Sequence, residues 1–243
     1  MNKLFNLTIV AAVAVLLSNG AFAQKAGDNI VSLGLASINP DAKLGTVTSK
    51  SASAPSAAAF TAQLKDASAS VGSQTAVSFG WLHMYNDNFG AELGLGIPAE
   101  FTQDLNTPNG TVKTHPGAAK LKILTPAVIA KYFYGGPNDQ WRPYLGLGVT
   151  HVTFNEVTTN AADATVKSLA STSASFKSAW APVYSAGVVY NIDEKWSVIG
   201  SVGFLPIKTT ATFVGPGLGV PVTSTGDVKL NTTDFVVRVA YRF

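Results

Sequence analysis

The sequence contains no cysteine, which excludes a disulfide framework and any thiolate metal site. Charge is scarce as well. Asp, Glu, Lys and Arg make up 13% of the 243 residues, against roughly a quarter in ordinary soluble domains. The 17 basic and 14 acidic residues are dispersed, with no basic run, so nothing offers an electrostatic footprint for nucleic acid. Beyond Ala23 no apolar run approaches the roughly 18 residues of a spanning helix. Yet 47% of the residues are hydrophobic. Only helices and closed barrels satisfy every backbone group in lipid, so apolar excess without a helical span points to a membrane-spanning β-barrel.

Residues 1–23 are read separately. Lys3 precedes an apolar stretch from Leu4 to Leu17, Ser18-Asn19-Gly20 breaks it, and Ala21-Phe22-Ala23 supplies a small-x-small cleavage pattern. This is the layout of a secretory signal peptide removed after Ala23. Residues 24–243 are then expected to form the barrel as one unit, because no second domain, repeat or linker is visible.

Barrel strands alternate apolar and small or polar side chains, one face toward lipid and one toward the lumen. Phe235, Val237, Val239, Tyr241 and Phe243 share one face, and Asp234, Arg238, Ala240 and Arg242 the other. Similar alternation appears around Phe89–Ile97, Leu145–Val149, Trp196–Phe204 and Tyr184–Ile192. Weaker runs occur at Val31–Leu35, Val77–Trp81 and Val128–Tyr134. The total predicts an all-β, eight-stranded antiparallel transmembrane barrel, an even count as single-chain bacterial barrels require.

The connections alternate in length. Asn86–Asn88, Gly135–Gln140 and Asp193–Lys195 are short and rich in turn residues. The intervals Pro40–Gly72, Pro98–Lys120, Asn155–Ala179 and Thr209–Asp227 are long. Long extracellular loops and short periplasmic turns place both termini in the periplasm. Tyr85, Phe89, Tyr132, Tyr134, Trp141, Tyr144, Tyr190, Trp196, Tyr241 and Phe243 collect beside the short turns and are expected to form the periplasmic aromatic girdle. The first long loop, Ser49–Ser73, is Ala- and Ser-rich, so mobility is the default and a short helix around Leu64 the most it is expected to support.

Parity places Glu92, Lys131, Arg142, Asp234, Arg238 and Arg242 in the lumen. Buried charges must be paired, so a lumen ion-pair network is favoured over a polar selectivity element, although both can coexist. Gly94-Leu95-Gly96 and Gly146-Leu147-Gly148 complete no G-x-G-x-x-G and open no helix; they relieve crowding in a narrow lumen. His83, His115 and His151 are scattered, without metal-ligand spacing. No serine is paired with the outward-facing His151 as nucleophile with base. The chain is therefore expected to be no enzyme and to hold no cofactor.

Asp87-Asn88-Phe89-Gly90-Ala91-Glu92-Leu93 followed by Pro98, Arg142-Pro143-Tyr144-Leu145-Gly146-Leu147-Gly148, Trp180, Ala186-Gly187-Val188 and the closing Tyr241-Arg242-Phe243 together resemble the OmpW family of small outer-membrane barrels. The resemblance covers essentially all of residues 24–243. It implies an outer-membrane location in contact with lipid, insertion by the barrel-assembly machinery with Phe243 as the assembly signal, and a narrow channel passing small hydrophobic solutes sideways toward the membrane. It also implies that bulky inward residues on strands three and seven can narrow the lumen, where this chain has Gly94 and Gly203. An eight-stranded barrel is, independently, barely wide enough for its own side chains. The alternative is a structural or surface-interaction barrel whose long loops contact other cells or proteins.

Overall fold

The structure, a computed structural model, describes residues 24–216 and 220–243. The expected signal peptide over 1–23 lies outside the described residues. In chain order the elements are β1 (Asn29–Ser51), α1 (Ala54–Gln63), β2 (Ser68–Val71), β3 (Gln74–Met84), β4 (Phe89–Gly96), β5 (Ala99–Asn106) and β6 (Thr114–Leu124). They continue with β7 (Ala127–Phe133), β8 (Trp141–Thr159), α2 (Ala164–Ala170), β9 (Ser173–Phe176), β10 (Ala179–Asn191), β11 (Trp196–Gly215) and β12 (Val222–Arg242).

Eight of these strands close into a ring, each antiparallel to its neighbours: β1, β3, β4, β7, β8, β10, β11 and β12. The circle is completed by β8 with β10, and by β12 with β1 over the long register from Ile30↔Arg242 to Ser51↔Val222. Closure leaves the ring without a free edge strand. The alternating residues explain which face is which. Leu33, Leu35, Leu145, Leu147, Phe235 and Val237 are each more than half exposed, and so contiguous an apolar surface requires lipid around it.

The three short turns are built locally. Asn86 Oδ1 accepts the N–H groups of Asn88 and Phe89 at 2.9 Å, and Asp193 Oδ1 accepts those of Lys195 and Trp196 at 2.8 and 2.7 Å. Gly135 takes φ +84°, a conformation glycine adopts without cost. Beside these turns stand aromatic pairs, Trp141 with Tyr190 at 4.5 Å and Trp196 with Tyr241 at 4.9 Å between centroids. Tyr144 does not join the girdle as expected. It shares the inward face of β8 with Arg142 and is only 3% exposed.

The long connections also differ from expectation, since much of them is strand. β1 and β12 stay paired to Ser51↔Val222, β11 and β12 to Gly215↔Val222, and β5 and β6 form a hairpin where an open loop was expected. The Ala/Ser-rich segment carries α1 and β2, held by buried Phe60 and Leu64. Above the membrane the outward face meets water. Apolar and polar residues then no longer alternate in the sequence, although backbone pairing continues.

Candidate lumen site and lateral seam

Inward residues sort into levels along the barrel axis once the register is known. At the periplasmic end Arg142 is fully buried. Its guanidinium donates to the Gln24 carbonyl at 2.6 Å, to Gln24 Oε1 at 3.2 Å and to the Asp87 carbonyl. Above it pack Ile30, Leu82, Met84, Phe133, Tyr144, Val189, Ile199 and Ala240. An ion cluster caps this apolar layer. Lys131 Nζ donates to Glu92 Oε2 at 2.5 Å, Arg238 Nη1 to Glu92 Oε1 at 2.9 Å, and Arg238 Nε to Ser78 Oγ at 3.0 Å. Lys131 Nζ also lies 4.4 Å from the Tyr144 ring centroid, within cation–π range. Gly80 makes the crossing possible, because a Cβ there would lie 2.7 Å from Arg238 Nη1. These two layers fill the lower lumen.

Over this floor sits a cavity of about 130 Å³. Its walls include Ala36, Ile38, Ala76, Ala127, Val183 and Leu205, and both Gly94 and Gly203 line it. A Cβ built on either glycine meets nothing closer than 3.9 Å, so a small side chain at either position would make only ordinary contacts. Val152, Ala181, Ile207 and Leu230 continue the apolar packing from the wall residues Ile129, Val183 and Leu205. Higher still, beneath α1 and α2, a smaller apolar cavity of about 50 Å³ is lined by Leu44, Val47, Leu64, Leu169 and Phe213.

The lumen cavity reaches the barrel wall. β4 and β7 pair up to Gly94↔Ala127, and β5 and β6 resume pairing at Ala99↔Ile123. Between these pairs, residues 95–98 and 124–126 have no pairing with each other. Each stretch contains a proline, Pro98 or Pro126, and neither has an N–H to donate. The outer flanks stay bonded: Ile97 N–H donates to Val77 O at 3.0 Å, and Pro126 O accepts His151 N–H at 3.2 Å. The pairing of β10 with β11 also stops, at Tyr184↔Phe204, but among the described residues no exposed apolar side chain of that gap lines the cavity. Lipid-facing Leu95 and Ile97 are 45% and 55% exposed and line the cavity along with its inward residues.

Of the residues expected in the lumen, the structure brings Glu92, Lys131 and Arg238 into one cluster. It does not bring Arg142 or Asp234 there. Arg142 serves the periplasmic end, and Asp234 stands in the cavity wall. Arg242 pairs with Asp28 at 3.3 Å, at the rim. Phe243 is exposed, its N–H bonded to Asn29 O. His83 bonds Asn29, His151 packs on Trp180, and His115 lies between Thr107 and Asp163. Sequence reasoning missed Ser78, Ser185 and the unpaired stretches that hold Pro98 and Pro126. The two prolines, both at the mouths of the same extended hairpin, were the available signal.

A closed antiparallel barrel with an apolar outward belt, an aromatic rim and a filled lower lumen defines the class of outer-membrane β-barrel proteins. The chain belongs to the OmpW family, whose model matches residues 25–243. It is similar to outer membrane protein W of Salmonella typhimurium, 29% identical over 96% of this chain and 98% of that protein. It is also similar to outer membrane protein AlkL of Ectopseudomonas oleovorans, 24% identical over 72% of this chain and 67% of that protein. Among solved structures, OprG of Pseudomonas aeruginosa superposes with a TM-score of 0.76 at 25% identity, covering 91% of this chain and 98% of that one.

Proposed function

We propose that the protein takes up small hydrophobic molecules from the outside into the lumen cavity and releases them sideways, through the seam at Pro98 and Pro126, into the membrane. The carrying observation is that one cavity is lined by inward Ala36, Ile38 and Leu205 and also by lipid-facing Leu95 and Ile97. The packed floor of Glu92, Lys131, Arg238 and Tyr144 supports a lateral exit over a vertical one, because buried, mutually bonded side chains fill the lumen there. The apolar cavity beneath α1 and α2 lies on the way in. This reading gives the barrel no chemical step to perform.

The test uses the two bare wall positions. Gly94→Trp and Gly203→Trp each put a large ring into the cavity, and overpacking costs roughly 1–3 kcal/mol of stability. Uptake of small hydrophobic compounds is measured in cells carrying equal amounts of folded wild type and each variant. Uptake well above the protein-free background for wild type, and near background for both variants, is expected. Equal uptake in all strains rejects the proposal and favours a surface-interaction role for the extracellular strands.

A further inference from the structure

The cavity wall is not uniformly apolar. Among the described residues, three buried side-chain atoms lack a hydrogen-bond partner: Arg142 Nε, Ser185 Oγ and Asp234 Oδ1. Two of them, on Ser185 and Asp234, belong to residues lining the lumen cavity. They lie in one cross-strand row, with Gly146 opposite Ser185, Ser185 opposite Gly203, Gly203 opposite Asp234, and Asp234 opposite Ile38. Two glycines flank Ser185, and a glycine and an isoleucine flank Asp234. None of these neighbours has a side-chain donor to offer.

The nearest cation on the same face of β12 does not help. Arg238 is four residues from Asp234, roughly 13 Å along a strand, and its guanidinium is engaged by Glu92 and Ser78. A carboxylate without its proton can only accept hydrogen bonds, and an unmet acceptor in a buried site is costly. Asp234 therefore presents acceptor capacity to whatever occupies the cavity, beside a wall of Ile38, Val236 and Leu205.

We propose that the cavity selects amphiphilic solutes over purely apolar ones, taking a small molecule whose hydroxyl head donates to Asp234 and whose apolar body lies against Ala36, Ile38, Ala127 and Leu205. This rests on the uptake reading above and names the solute class for it. A neutral head is favoured by the charges already present. Glu92 and Asp234 formally balance Lys131 and Arg238, so a charged head would leave a net charge in a low-dielectric lumen. Ser185 marks the other end of the same polar row.

The test compares two isomers, 1-hexanol and methyl pentyl ether, which match in formula and differ in that only the alcohol donates a hydrogen bond. Binding to the full protein in detergent micelles is followed by amide shifts on β10, β11 and β12. Hexanol is expected to bind roughly tenfold more tightly, as a hydrogen bond to a charged acceptor implies. In Asp234→Val the preference is expected to vanish while ether binding persists. Equal affinities in wild type, or a preference that survives in a folded Asp234→Val, overturn the inference and leave the uptake reading intact. Binding of neither isomer overturns both. The wild-type comparison decides even if the variant fails to fold.

Discussion

Glu92 is the residue on which the lumen floor depends. It is 2% exposed and accepts from both Lys131 and Arg238, so removing its charge strands two cations at once. Breaking a buried ion pair from one side costs about 3–5 kcal/mol. Glu92→Gln is expected to lose stability in that range, and Lys131→Met less, since Arg238 still serves Glu92. Urea unfolding in lipid vesicles, followed by tryptophan fluorescence, measures both; a Glu92→Gln variant as stable as wild type would refute the role. The inward face of these charges was legible from parity alone, but their grouping was not. Parity gives the face of a strand, whereas the level along the axis comes from register. For that reason Arg142 and Asp234 were expected in the same network and are found at other levels. Tyr144 shows a conflict within the sequence reading, where nearness to a turn suggested the girdle and parity pointed inward.

At the scale of elements, the membrane-spanning parts of the strands were readable because lipid on one side enforces alternation, as at Phe235–Val239 and Leu145–Val149. Their extensions were not, because Lys43 to Lys50 on β1 meets water outside and carries polar residues on both faces. The helix α2 was equally hidden, being only seven residues long, yet its anchor is well defined. Asp163 caps it, accepting from Thr165 N–H at 2.9 Å and Val166 N–H at 3.0 Å, and accepts from His115 Nδ1 at 2.8 Å. His115 belongs to β6, so the cap ties two extracellular connections together. Burial acts to raise the Asp163 pKa, but the Val166 N–H, His115 and the Thr165 N–H outweigh it and hold the carboxyl below its ordinary 3.8. A depressed carboxylate pKa contributes stability above the unfolded value, and that contribution is lost as pH falls through the folded one. Asp163→Ala is therefore expected to speed hydrogen exchange of the α2 amides about fivefold at neutral pH, as loss of a cap worth about 1 kcal/mol implies. After correction for intrinsic rates, the two proteins are expected to converge well below pH 3.8. A difference that persists undiminished in acid would show that the carboxylate charge is not what holds the helix.

For the molecule as a whole, the decisive feature is a closed ring whose pairing is interrupted where its cavity meets lipid-facing residues. Pairing between β4 and β7 stops at Gly94↔Ala127 and gives way to the seam, and pairing between β10 and β11 stops at Tyr184↔Phe204; only at the first gap do lipid-facing residues, Leu95 and Ile97, line the cavity. If solutes leave through that seam, tying its two sides must stop release without disturbing entry from above. The absence of cysteine from the natural sequence makes the experiment clean, because introduced thiols have no competitors. Ile97→Cys with Thr125→Cys places one thiol on each side, and a short bifunctional maleimide spans a gap wider than a disulfide tolerates. The bridged double variant is expected to lose hydrophobic uptake, whereas each single variant treated with the same reagent keeps it. A second bridged pair, Ala91→Cys with Ala130→Cys, lies where β4 and β7 are still paired and is expected to leave uptake unchanged. If the seam bridge transports as well as this control, solute leaves by another route, and the floor built on Glu92 would be the next barrier to examine with the same uptake assay.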